Sequence, residues 1–222
     1  MAKKKITREK IINAFLFCAF DKSAGATSLA DIADYLEIKK ASLYNHFDSK
    51  EEMYSASLEY CRNFLEETKF LPDSLLNERT FTAYSLEEIF SSLIKNYIHI
   101  YEAEPLFQIY TFIHTEQYFN KTAREIADAE RAKIEYSVSQ IILAYCSQKK
   151  KELSPMDVDC AVRWYTSALM NQIDMYITNK KEIVRQNPEC GVGSLFALPT
   201  DEEALNRIYS LSSNYIRLLE RD

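Results

Sequence analysis

Residues 27–50, TSLADIADYLEIKKASLYNHFDSK, decide how this chain is read. Thr27 or Ser28 can cap a helix, because a side-chain oxygen there meets backbone N–H groups that the first turn leaves unpaired. Ile32, Ala33 and Leu36 follow at helical spacing and give that helix an apolar stripe. A turn falls at Glu37-Ile38, and Lys39 to Phe47 makes a second short helix. Leu43 and Phe47 lie four apart on its apolar face, which leaves Lys40, Ser42, Tyr44, Asn45 and His46 pointing elsewhere. A short helix with a small buried face and a polar, partly cationic exposed face suits a DNA major groove. The segment reads as a helix-turn-helix.

The flanking sequence extends this pair into a small head. A helix from about Thr7 to Asp21 precedes it, with Thr7 as N-cap and Ile11, Ala14, Phe15 and Cys18 turned inward. It packs over the pair to complete three helices, and Lys3, Lys4 and Lys5 form an arm before it. A fourth helix starts near Ser49 and continues towards Thr68, with Met53, Ser57, Tyr60 and Phe64 along one face. Lys50 lies in its first turn, and this helix joins head to body.

The run Thr7-x-x-x-Ile11-x-x-Ala14, then Ala26-Thr27-Ser28-Leu29-x-x-Ile32-Ala33, then Ser42-Leu43-Tyr44-x-His46-Phe47-x-x-Lys50, resembles the DNA-binding domain of the tetracycline-repressor (TetR) family. The resemblance covers about the first 55 residues. One position departs from it: the family usually has Gly in the turn, where this chain has Glu37. A non-Gly residue held at φ > 0 there costs on the order of 1 kcal/mol.

The resemblance implies that the second helix of the motif enters the major groove of double-stranded DNA. Lys39 and Lys40 then reach phosphate or a guanine edge, while Ser42 and Asn45 bond base edges, Asn favouring adenine. Tyr44 offers its hydroxyl to phosphate and its ring to a thymine methyl. His46 meets the backbone, and Lys50 anchors phosphate. Thr27 and Ser28 set a helix N-terminus against the other strand. A homodimer, a palindromic operator with half-sites about 34 Å apart, and control by a small-molecule effector are implied in the same way.

Composition agrees with a protein that meets DNA at one end. Of 222 residues, 33 are acidic and 27 basic, a net charge of −6 that argues against indiscriminate coating of nucleic acid. Residues 1–50 hold 9 Lys+Arg against 6 Asp+Glu, a balance of +3, and residues 51–222 hold 18 against 27, a balance of −9. Three Gly, five Pro and long amphipathic periods make a strand-rich fold improbable. Five scattered Cys without a C-x-x-C pair point to a reducing cytoplasm, with Cys18, Cys61 and Cys146 buried as small hydrophobes. The apolar run Ala14 to Phe20 is too short to span a membrane.

The expected fold is all-α: a helix-turn-helix head over 1–50 and a larger ligand-binding and dimerisation domain over 51–222, about nine helices in all. Residues 70–85 read as a connection. Helices follow over Leu86–Ala103, in an aromatic segment opened by Pro105, and over roughly Lys121–Gln148. Another runs from Ser154-Pro155 to about Lys181, and the last from Asp201 to Arg221, with a Gly- and Pro-bearing break over Asn187–Pro199 between them. Val158, Val162, Tyr165, Leu169, Ile173 and Tyr176 make one stripe, and Leu205, Ile208, Ser212, Tyr215 and Leu219 another. Both helices carry apolar residues on other faces too, which fits either a two-sided core helix or, as the resemblance implies, a four-helix contact with a second copy.

The ligand-binding candidates are Phe90, Tyr97, Tyr101, Phe107, Tyr110, His114, Trp164, Asn171 and Met175, aromatics with a few placed polar groups. Glu116 and Asp174 would favour a cationic ligand. No G-x-S-x-G, H-E-x-x-H or Gly-rich phosphate loop occurs, so no enzyme and no cofactor are expected; His99, Glu102 and His114 are the weaker thought for a metal. The alternative to a small molecule is control by a protein partner, for which the aromatic core would be closed and dry.

Overall fold

The computed structural model describes residues 6–149, 155–187 and 201–220, whose regular structure is all helical, with no strand among them. The α-helices are α1 (Arg8–Lys22), α2 (Leu29–Tyr35), α3 (Lys50–Glu67), α4 (Glu78–Ala83), α5 (Leu86–Glu102), α6 (Leu106–Glu116), α7 (Lys121–Lys149), α8 (Pro155–Gln186) and α9 (Glu202–Glu220). Two 3-10 turns, Lys40–Asn45 and Asp73–Leu76, complete the list. The expected arm at Lys3–Lys5, the helix start at Ser154 and most of the break after Asn187 lie outside the described residues.

Contacts divide the chain into two compact units, Met1–Thr68 with Glu104–Asp128, and Lys69–Ala103 with Ala129–Asp222. In the first unit Thr7 caps α1, its side chain accepting from the Lys10 amide, and Ile11, Ala14, Phe15 and Cys18 are buried as their spacing predicts. Helix α6 belongs to this unit although it lies far along the chain. Phe112 of α6 meets Phe15 edge-on at 5.8 Å and Tyr54 of α3 at 5.8 Å, and the Tyr54 hydroxyl donates to Glu116 at 2.7 Å. On α3, Met53 and Ser57 are buried as expected, joined by Leu58, Cys61 and Leu65. Tyr60 and Phe64 are only half-buried.

The second unit packs α5, α8 and α9 with the later part of α7. Ile89, Leu93 and Tyr97 of α5, Ile134, Val138 and Ile141 of α7, and the whole predicted stripe of α8 are buried. The connection 70–85 is more ordered than its composition suggests: Asn96 donates to the Phe70 carbonyl at 3.1 Å, and the Phe70 ring lies 5.9 Å from Tyr97 and 5.8 Å from Tyr101. Tyr101 donates to the buried Glu130 at 2.7 Å. Glu102 accepts from both Tyr176 and Lys180 of α8. The thiols behave as hydrophobes: Cys18, Cys61 and Cys146 are buried, Cys160 is exposed, and burial lifts the Cys18 thiol to about 11. No described helix is long and apolar enough to cross a membrane.

Candidate nucleic-acid interface

The turn between the two motif helices closes as a helix C-cap. The Ile38 amide donates to the Ala33 carbonyl at 2.9 Å and the Glu37 amide to Asp34 at 3.1 Å, the paired bonds of a Schellman ending. Such an ending needs one residue in the left-handed region, and Glu37 supplies it at φ 55°. The departure from Gly is therefore absorbed at the cost of strain at one residue.

After the turn, the second short helix expected over Lys39–Phe47 is present as a 3-10 helix over Lys40–Asn45. The Ser42 amide reaches Lys39 and the His46 amide reaches Leu43, both three residues back. Six residues are too few to stabilise an α-helix on their own, and Ser and Asn, whose side chains compete for backbone partners, weaken it further. The division of faces survives the change. Leu43 and Phe47 are buried, Ser42 and His46 are half-buried, and Lys39, Lys40, Ala41, Tyr44 and Asn45 are exposed.

Thr27 and Ser28 have distinct roles. Thr27 is buried, and its hydroxyl donates to the Ser23 carbonyl at 2.8 Å, so it closes the α1–α2 connection. Ser28 caps α2 in a reciprocal box: its hydroxyl accepts from the Asp31 amide, and Asp31 accepts from the Ser28 amide at 2.8 Å. Lys22 also reaches Asp31 at 2.6 Å. The Lys22 ammonium first, then the Ser28 amide and hydroxyl, hold the Asp31 carboxyl well below the usual carboxylate range.

Lys50 and His46 are placed by side chains from other elements. Lys50 donates to the Gly25 carbonyl at 3.0 Å, which ties the start of α3 to the α1–α2 connection. Arg8 was not singled out by sequence reasoning, yet it organises this corner. Its guanidinium donates to the His46 carbonyl at 2.5 Å and to Glu52 at 2.9 Å, and lies 4.1 Å over the Phe47 ring. The Asp48 amide and then Arg8 hold the Glu52 carboxyl below its ordinary value. Nothing in the spacing of residues 8, 46 and 52 announces this cluster, because it forms only when α1 crosses the motif.

The nine ligand-binding candidates separate. Phe107 and Tyr110 are buried in the first unit, with His114 half-buried and stacked on Tyr110 at 4.0 Å. Phe90, Tyr97 and Tyr101 are fully buried in the second. Trp164 is 72% exposed, Met175 53%, and Asn171 is exposed as well, so these three stand on the outward face of α8 instead of lining an interior. The reason is that α8 is apolar nearly all round, so apolar character alone could not assign a face. Glu116 is engaged by Tyr54, and Glu102 by Tyr176 and Lys180. Among the described residues no group of three His, Cys, Asp or Glu is placed to hold a metal ion.

A capped helix-turn-helix with a cationic outward segment, carried on a helical body, defines the class of helix-turn-helix DNA-binding regulators. Residues 11–56 match the family described as "Bacterial regulatory proteins, tetR family". The chain is 25% identical over 170 residues to IcaR of Staphylococcus aureus, a negative transcriptional regulator of the biofilm operon icaADBC; the match covers 74% of this chain and 86% of that protein. IcaR of Staphylococcus epidermidis is 44% identical over 57 residues, covering 26% of this chain and 31% of its own. The crystal structure of a TetR transcription regulator from Haloarcula marismortui superposes with a TM-score of 0.54 at 14% identity, covering 94% of this chain and 95% of the other. The likeness in fold thus extends over nearly the whole chain.

Proposed function

We propose that this DNA-binding regulator is a sequence-specific repressor that reads a palindromic operator as a homodimer and is released by a small molecule bound in its body. One observation carries the DNA end: Lys39, Lys40, Tyr44 and Asn45 stand together, exposed, on the far side of a segment anchored by buried Leu43 and Phe47. Ser42, His46 and Lys50 complete this set. Repression is supported by the likeness to IcaR, and dimerisation by the exposed apolar residues of α8 and α9, Trp164, Met175, Leu211 and Leu218.

The body's interior supports an effector through its buried polar groups. The Thr166 hydroxyl is fully buried with no hydrogen-bond partner, and Tyr101 and Glu130 form a buried pair among aromatics. Aromatic walls with a few placed polar groups are the usual make-up of a small-molecule site. An effector with unequal affinity for the two states of the dimer would shift the population away from the one that fits both half-sites.

A second reading is favoured by one feature: Phe90, Tyr97 and Tyr101 are closed off from solvent, as expected if a protein partner holds control. Footprinting on DNA upstream of the chain's own gene, followed by a compound screen for release, tests both. A two-fold symmetric footprint lost with a compound supports the first reading. A footprint lost only with cell protein supports the second, and no footprint at any site sinks both.

A further inference from the structure

Helices α8 and α9 leave a half-open groove of about 110 Å³ between them. Tyr165, Ala168, Leu169, Ile208, Leu211 and Tyr215 form most of its wall, and among the described residues none that lines it is charged. Its hydroxyls are already used: Tyr165 and Ser212 bond each other at 2.8 Å, and Tyr215 donates to the Ala161 carbonyl. Among the described lining residues Gln172 is the one other polar side chain, so the groove suits an apolar occupant rather than a polar ligand.

The chain's single tryptophan stands beside this groove. Trp164 lies one helical turn before Ala168 on the same side of α8, is 72% exposed, and does not line the groove of its own chain. A bulky knob and an apolar socket thus lie on one patch. That is the condition for a two-fold isologous contact, in which each copy offers the same surface and receives it. Met175, Leu211 and Leu218 extend the patch along the two helices, and half-exposed to exposed apolar side chains of this kind mark an association surface.

We infer that the occupant of the α8–α9 groove is Trp164 of a second copy of this chain, so that two reciprocal tryptophan insertions anchor the dimer. This rests on the proposed homodimer and names the residue and socket that hold it. Tryptophan is enriched among the few residues that carry most of an interface's affinity, and it acts from a well-packed central pocket. Ala168 is the complementary small residue, leaving the socket open.

The test uses Trp164 as its own probe, since there is one tryptophan per chain. Light scattering gives the mass of the purified protein while emission and acrylamide quenching report the environment of Trp164 over a dilution series. A dimer with blue-shifted, protected emission that turns red as the mass halves supports the socket. A dimer whose tryptophan stays red and quenchable overturns the socket but leaves the dimer standing. A monomer at every concentration overturns both. Trp164→Ala should raise the dimer dissociation constant on the order of 30-fold or more. Ala168→Leu keeps the knob but fills the socket, and should weaken the dimer as well. Both positions are exposed in the protomer, so circular dichroism should be unchanged; full dimer affinity in both variants would contradict the inference.

Discussion

Glu37 at φ 55° and Asp31 in its capping box show how single residues set the geometry of the head. Glu37 closes the turn in a conformation that favours Gly, so Glu37→Gly should raise stability by about 1 kcal/mol, read from the urea midpoint. Loss of stability on that change would mean that the Glu37 side chain contributes something its backbone strain conceals. Asp31 has a pH signature. Its folded-state carboxyl is depressed below the ordinary 3.8, so its contribution is complete above that value and fades as pH falls through the depressed one. Lys22 is shifted upward from 10.5, so its share is complete below that value and fades only as pH rises through the raised one. The stability difference between wild type and Asp31→Asn should therefore stay level between about pH 5 and 9 and shrink below about pH 4. A difference that grows on acidification would contradict this pairing.

At the scale of elements, the recognition turn and the body core make separate predictions. Lys40→Ala should weaken binding to all DNA sequences alike and lower the salt slope by about 1, the mark of a lost phosphate contact. Asn45→Ala should cost about 1–3 kcal/mol on the preferred operator and relax the choice of base at one position per half-site. Anisotropy titrations on matched and single-substituted duplexes separate the two patterns. In the body, Thr166→Val removes a buried hydroxyl without a partner while keeping the shape, and should stabilise by about 1 kcal/mol in thermal unfolding. If the variant is instead less stable, the hydroxyl has a role in the core that the geometry does not reveal.

These elements also mark how far the sequence could be read. Caps at Thr7, Ser28, Ser49 and Ser85 are local, made by a side chain three residues or fewer from the amide it satisfies, and the first three were legible as helix starts. The buried stripes of α1 and α8 were legible because their period is intrinsic to the helix. The 3-10 form of this segment was not, since the four-residue spacing of Leu43 and Phe47 suits an α-turn and records nothing of the tighter winding. Arg8 over Phe47 and α6 against α1 and α3 join residues far apart in sequence, and no period records them. Trp164, Asn171 and Met175 face outward instead of lining an interior, because α8 is apolar nearly all round and its composition assigns no single inward face.

At the scale of the molecule, the central feature is the asymmetry of charge: a balance of +3 over residues 1–50 against −9 over the rest. A basic first segment favours approach to phosphates, while the acidic remainder of the chain disfavours non-specific binding. In the proposed dimer, the gap between the operator and other DNA comes from base contacts and from two heads engaging together. The most direct measurement is fluorescence anisotropy of the purified protein on labelled DNA from upstream of its own gene, against a scrambled duplex, across a salt series. The specific complex should be tighter than the scrambled one by about 10³ or more, with two protomers per duplex. Equal, weak binding to both duplexes that collapses steeply with salt would contradict it.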